Sequence, residues 1–246
     1  MTRLIFAALF LLIFKTSALA QENDIQWYKD LKQASAAAQV GNKPMMIEFW
    51  ADWCAPCKIM EDEVYTDARV AAAVSQKMVA VRVHFDLQTN LVRQYNVEAI
   101  PYMVFTNSYG TELLRHRGIL EAEDLAALVD ALPADVSEFN RLDGILRKDK
   151  NNFAALQDMA SRLRAVGLYQ SSNEFYRKAA NRNEAKKNAA VRETILVEMG
   201  LNFLDLRDGK QAAAIFERCL KEFPNSANRP TFMQELDRAR RLLSEL

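Results

Sequence analysis

The chain has 246 residues, 32 basic and 32 acidic, and half of it is apolar, with only 7 Gly and 6 Pro. So much apolar surface with so little turn-former or excess charge excludes a fibrous or disordered protein, and the length suits two modest domains. Charge balance removes the long-range field of a non-specific nucleic-acid binder, so nucleic acid is not an expected partner; three cysteines are too few to staple the chain, which leaves catalysis or chance.

The first twenty residues read as an address. Thr2 and Arg3 precede an unbroken eleven-residue apolar run, Leu4 to Phe14, followed by Lys15-Thr16-Ser17 and the small residues of Ala18-Leu19-Ala20. This is the pattern of a secretory signal cut before Gln21, and the run falls short of the ~20 apolar residues a membrane-spanning helix needs. Losing Arg3 and Lys15 with it leaves 30 basic against 32 acidic residues, a net charge near −2. The expected location is the periplasm or the exterior, oxidising compartments in which disulfides persist.

After the leader, a helix is expected over Trp27 to Val40, ended by the turn Gly41-Asn42-Lys43-Pro44. Met45 to Trp50 is a short apolar run and reads as a buried strand. Residues 55–76 carry helical patterns. Val79, Val81, Val83 and Phe85 alternate as one face of a second strand. A short helical stretch around Leu91 to Tyr95 leads to Ile100-Pro101, and Tyr102 to Thr106 is strand-like. The turn Asn107-Ser108-Tyr109-Gly110 then joins it to Glu112–Arg117 as an antiparallel hairpin. Leu125, Leu128, Val129 and Leu132 form the apolar stripe of a closing helix. The order βαβα then ββα predicts a four-stranded mixed sheet covered on both faces, over residues 21–133.

Beyond Pro133 the strand signals stop and amphipathic helices follow, defining a second, all-α domain over 134–246. Leu156, Met159, Ala160, Leu163, Ser172, Tyr176 and Ala179 recur forty residues later as Leu196, Met199, Gly200, Phe203, Ala212, Phe216 and Cys219. The spacing resembles the tetratricopeptide repeat, in which a small residue lets paired helices approach and an aromatic fills the groove. Pro224 falls where that family ends its second helix; the extra residues beyond the usual period of about 34 would be an insertion around Arg182 to Ala190. Val136 to Arg147 and Thr231 to Leu246 would flank the stack. The alternative is an ordinary helical bundle. Arg238, Arg240 and Arg241 read as the solvated face of the last helix.

The chemistry lies in Trp53-Cys54-Ala55-Pro56-Cys57-Lys58, at the junction of the first strand and the next helix. There Cys54 meets unpaired backbone N–H groups and the positive end of the helix dipole, which favour the thiolate nucleophile. Cys57 lies one turn further in, close enough to pair with it. Pro56 suits a first turn because it needs no N–H partner there. A zinc site would need two more ligands, and Cys219, His84 and His116 do not supply them, so no metal is expected. A bridge closing so short a loop also stabilises a fold little, which leaves redox exchange as the reading of the pair. Exchange of this kind needs no bound cofactor.

These six residues resemble the thioredoxin active-site motif, with Ala55 where most thioredoxins carry Gly, and Leu91 to Pro101 is similar to that family's approach to its cis-proline. The resemblance covers roughly Ile25 to Leu132, with Gly118 near a family glycine after the last strand, and leans towards secreted relatives and the periplasmic domain of transmembrane disulfide reductases. It implies a thioredoxin fold, a cis Pro101 beside the cysteines, and Ile100 offering backbone groups to an extended substrate. Ala55 and Pro56 belong to the same substrate-facing surface. Glu48 stands where thioredoxins commonly place a buried aspartate, and the resemblance implies a proton acceptor for Cys57. Arg82 stands where the family has a lysine, either as partner of Glu48 or as a solvated arginine. Trp53 is expected to shield the pair and offer a platform to substrate, Trp50 to lie in the core, and Cys219 to be a buried, unreactive thiol. His84 and His116 receive no role.

The expected protein is therefore an exported thiol-disulfide oxidoreductase: Cys54 attacks a protein disulfide and Cys57 resolves the mixed disulfide. Ala55-Pro56 and Ile100 resemble reducing members, which implies recharging by an electron donor such as a membrane disulfide reductase. The helical half would bind a partner or client. The rivals are a scaffold with a vestigial pair and a disulfide oxidase or isomerase.

Overall fold

The computed structural model describes residues 24–244; the expected leader and its cleavage site lie outside them. A five-stranded sheet is built from β1 (Trp27–Tyr28), β2 (Met45–Trp50), β3 (Val79–His84), β4 (Tyr102–Thr106) and β5 (Glu112–Arg117), in the order β1-β3-β2-β4-β5. β1, β3 and β2 run parallel, β4 is antiparallel to β2, and β5 closes the expected hairpin on β4. The fifth strand corrects the expected four. Trp27 and Tyr28 do not start a helix: they pair with Ala80 and Val81, and the helix begins only after Asp30, whose side chain caps it by accepting the Gln33 N–H at 2.8 Å. A side-chain cap of that kind satisfies a donor the helix cannot, and so sets where it starts.

Helix α1 (Leu31–Val40) and α4 (Thr89–Gln94) cover one face, burying Ala34, Ala38 and Val92 against Ile47, Phe49, Val81 and Val83. The other face is covered by α2 (Ala55–Ile59), its π-helical continuation Met60–Val64, α3 (Ala68–Lys77) and α5 (Ala122–Ala131), over a core of Met46, Met60, Val74, Met103, Phe105 and Leu125. Five residues of β2, Met45 to Phe49, are fully buried, as a central strand covered on both faces requires, and Glu48 is the one charged side chain among them. The hairpin turn needs Gly110 at φ +84°, where any Cβ would also lie 2.8 Å from the Tyr95 hydroxyl.

Seven helices follow: α6 (Ser137–Lys148), α7 (Phe153–Ala165), α8 (Tyr169–Ala180), α9 (Asn183–Lys187), α10 (Ala189–Asp205), α11 (Gly209–Glu222) and α12 (Arg229–Ser244). α7 packs on α8, α10 on both α8 and α11, and α11 on α12. All fourteen positions of the forty-residue correspondence are buried. A Cβ on Gly200 would stand 2.7 Å from Cζ of Phe216, so the glycine is what admits that ring between α10 and α11. α9 occupies the stretch expected as an insertion, and Pro224 follows the end of α11 by two residues.

The core does not break at the junction after Pro133. Val136, Phe139 and Leu142 continue the same apolar cluster from under the sheet into the helices. Polar groups clamp the seam. Asn140 accepts the Ser108 N–H at 3.1 Å and donates to Asn42 Oδ1 and Ser108 Oγ at 3.1 and 3.0 Å, while Ser171 donates to the Leu113 carbonyl at 2.5 Å.

Candidate functional site

β2 ends at Trp50, and the chain turns through 51–53 so that Cys54 becomes the N-cap of α2. Its Sγ accepts the Cys57 N–H at 3.2 Å, a donor that would also stabilise a thiolate there. Cys54 and Cys57 are joined as a disulfide, S–S 2.04 Å and Cα–Cα 5.3 Å, with Pro56 in the first helical turn between them. Both cysteines are only 2% exposed; Ala51, Trp50, Phe85 and Ile100 pack around them. The Ile100–Pro101 peptide is cis, Pro101 is buried, and its carbonyl accepts the N–H of Gly118, which lies at φ +96°.

The buried bridge has an exposed apolar border. Trp53 is 64% exposed, its indole N–H donates to Asp86 Oδ2 at 2.7 Å, and its ring meets Phe85 edge-on at 6.3 Å. Nothing in the sequence reading singled out Asp86. Tethering of this kind holds a large apolar surface at the mouth of the pair without burying it.

Beneath the helix that carries Cys57 lies a charged cluster. Glu48 faces the α2 side of the sheet and is fully buried; Arg82 donates through Nε to Glu48 Oε2 at 2.6 Å and through NH1 to Glu61 Oε1 at 2.9 Å. Glu61 is four residues beyond Cys57, one helical turn along the same face. Arg82 is thus the partner of Glu48 and not a solvated arginine. Its guanidinium carbon sits 5.1 Å from the Trp27 ring centroid and 4.8 Å from that of Trp50. Burial raises the Glu48 carboxyl above its ordinary range, opposed by Arg82 and the Tyr65 hydroxyl. Burial and the Glu48 charge push Tyr65 well above the ordinary phenol value.

Trp50 departs from expectation. It is half-buried, because at the end of β2 its ring covers Arg82 and meets His84 edge-on at 5.2 Å. His84 Nε2 lies 3.1 Å from Asp52 Oδ2, and His116 Nε2 lies 3.4 Å from the Ile119 carbonyl. Cys219 is fully buried in α11, its thiol pushed up to about 12 by burial, with Glu193 and Glu222 adding to the shift. Trp27, Tyr65 and Glu61 complete the cluster around Glu48 without having been foreseen. Only Glu61 had a legible signal, its four-residue spacing from Cys57.

A thioredoxin-like domain profile matches residues 31–133. Among curated relatives, the thiol:disulfide interchange protein DsbD of Campylobacter jejuni is 26% identical over 107 residues, 42% of this chain and 19% of that protein. The chain thus spans about a fifth of the length of such relatives. The thioredoxin of Mycoplasma pneumoniae is 35% identical over 101 residues, which cover 41% of this chain and 93% of that thioredoxin. The chain belongs to the thioredoxin-like family. Among solved structures, the C-terminal domain of Neisseria meningitidis DsbD in its reduced form is 22% identical, with 43% of this chain and 97% of that one covered and a TM-score of 0.38. As a thioredoxin-like oxidoreductase, the protein carries its dithiol–disulfide couple at Cys54 and Cys57, followed by a helix-rich region.

Proposed function

We propose that the protein is an exported reductase of protein disulfides, with the boundaries 21–133 for the redox domain and 134–246 for a helical domain that binds a partner or client. The observation that carries this reading is the Cys54–Cys57 bridge at the start of α2, with the cis Ile100–Pro101 peptide beside it. In the forward step the Cys54 thiolate attacks one sulfur of a client disulfide, forming a mixed disulfide and releasing the first client thiolate. Cys57, deprotonated, then attacks Cys54 Sγ, releases the second client thiolate and leaves the bridge described above. Two electrons pass from the pair to the client. They return from a donor dithiol, which a membrane disulfide reductase would supply.

In this reading Glu48 takes the proton from Cys57, and burial, which raises its proton affinity above that of a free carboxylate, favours that role. Trp53, Ala55, Pro56 and Ile100 form the surface on which an extended client segment lies, and Pro101 holds that segment's backbone in line. Among the described residues no helix is long and apolar enough to cross a membrane. Export rests on the leader pattern, and an N-terminal mass beginning at Gln21 tests it.

The helical pairs α7–α8 and α10–α11 are read as two tetratricopeptide-like units. A groove of about 700 Å³ between them, bordered by Gln157, Asp158, Arg164, Tyr176, Thr194 and Glu198, offers polar walls to a partner segment.

The test is a Cys57→Ser variant of the full chain, which should accumulate mixed disulfides through Cys54 that are cleaved by added dithiol, while Cys54→Ser captures none. Wild type should reduce insulin when dithiol is supplied. A reduction potential near that of strong oxidants, about −120 mV, would reverse the direction; a pair inert to insulin and to trapping would favour the scaffold.

A further inference from the structure

At the end of the sheet remote from the disulfide, the two halves of the chain enclose a pocket of about 400 Å³, within the range of small-molecule sites. Its walls come from Thr111 just before β5, the C-terminal part of α6 with the segment after it, the facing flanks of α7 and α8, and Arg182 between α8 and α9. β4 alone, which begins beside Pro101, separates it from the redox site by roughly 17 Å.

Leu146, Leu156 and Phe175 make the floor apolar, and four cations stand around it, Arg147, Lys150, Lys178 and Arg182. One acid, Asp143, also faces the pocket, but both its oxygens are committed. Oδ1 accepts the Thr111 hydroxyl and Oδ2 accepts Arg147 Nε–H, each at 2.7 Å. That pair cancels, and Arg147 uses its remaining reach on the Tyr109 carbonyl at 3.0 Å. The other three cations have no carboxylate within ion-pair distance among the described residues. Lys178 stands 4.7 Å over the Phe175 ring, and Arg182 donates only to neutral oxygens, Asn151 Oδ1 at 2.5 Å and the Lys178 carbonyl at 3.2 Å.

Cations near helix C-termini are ordinary in themselves, since they complement the dipole. That accounts for each charge singly. It does not account for three uncompensated charges from different segments meeting over one apolar floor, beside the N-terminus of α7, which adds a further positive end. An ion with no apolar part would leave the floor wet, and a neutral apolar molecule would leave the cations unmatched. We propose that this pocket binds a small amphipathic organic anion, an apolar ring or short chain ending in a carboxylate or sulfonate, with the apolar part on Leu156 and Phe175 and the anionic end between Lys150, Lys178 and Arg182. The site joins residues of both halves, so its ligand holds the seam closed. It is independent of the exchange reaction.

The test uses the full-length oxidised protein and anilinonaphthalene sulfonate, a fluorescent apolar anion, with decanoate, decanol and acetate as competitors. Saturable one-to-one binding is expected, displaced by decanoate and by neither decanol, which lacks the charge, nor acetate, which lacks the chain. Lys150 and Lys178 are both exposed, so the double variant Lys150→Glu/Lys178→Glu should fold, as its near-ultraviolet dichroism will report. It should bind the dye about tenfold more weakly, the effect of losing charge complementarity at a rim, with insulin reduction unchanged. Decanol competing as well as decanoate, unaltered dye binding by the folded double variant, or no saturable binding to wild type would each overturn the assignment.

Discussion

Replacing Arg82 by methionine strands a carboxylate. Glu48 is fully buried and forms its ion pair with Arg82, at 2.6 Å. Breaking a buried pair from one side costs roughly 3–5 kcal/mol, because the remaining charge keeps its desolvation penalty and loses its compensation. Methionine retains much of the stem but not the cation–π contacts with Trp27 and Trp50, worth about 1 kcal/mol more. The loss should depend on pH with a definite sign. Burial already raises Glu48 above its ordinary 4.5, with Arg82 and Tyr65 opposing and Glu61 adding slightly; removing Arg82 raises it further. A carboxyl raised on folding binds more protons folded than unfolded. Its contribution is fully present below the unfolded value and is lost as pH rises through the folded one. The deficit of Arg82→Met relative to wild type should therefore be greater at about pH 8 than at about pH 4, because acid protonates Glu48 and removes the stranded charge. Urea unfolding of the oxidised proteins, followed by dichroism at both pH values and one ionic strength, measures it. Adding Glu48→Gln should restore part of the stability at the higher pH. A deficit equal at both pH values, or unrelieved by Glu48→Gln, would refute the stranded-charge account.

Three further outcomes follow from packing and burial. After reduction at about pH 8, iodoacetamide should label Cys54 first, because its sulfur accepts a backbone N–H at the start of α2, and Cys219 only on unfolding, because its thiol is pushed up to about 12 and is fully buried; mass spectrometry of the native and unfolded protein locates the adducts. Asn140→Ala should cost about 2–3 kcal/mol by leaving the Ser108 and Asn42 groups without their partner at the buried seam, and a change under about 0.5 kcal/mol would show that the seam is not held there. Gly200→Ala gains about 1 kcal/mol of helix propensity but forces a Cβ into the Phe216 ring, at a cost of about 1–3 kcal/mol. A lowered melting temperature, partly recovered when Phe216→Leu is added, is expected; a raised one would mean the ring moves freely.

Local periodicity made most elements readable. β2 announced itself as an apolar run, β3 as an alternation, and the helices after Pro133 as stripes with breaks. β1 did not, because two residues are too few to show a period and Trp27 and Tyr28 suit a helix equally well. Only the neighbouring edge of β3 and the Asp30 cap decide between the two. The same limit hid Asp86 and Trp27 from the site. Each acts through a partner 33 or 55 residues away, Trp53 and Arg82 respectively, and nothing in their own neighbourhood marks them.

Chemistry that depends on neighbours along the chain could be read directly: two sulfurs one helical turn apart, a proline that fits the first turn, and small and aromatic residues recurring at an interval of forty. Chemistry that depends on groups meeting in space could not. The enclosure of Glu48 by Arg82, Tyr65 and Trp50 and the continuous core across the junction at Pro133 arise from contacts between distant segments. So does the convergence of cations over Leu156 and Phe175. Their energies come from burial and from desolvated charge, which exist only once the layers have closed.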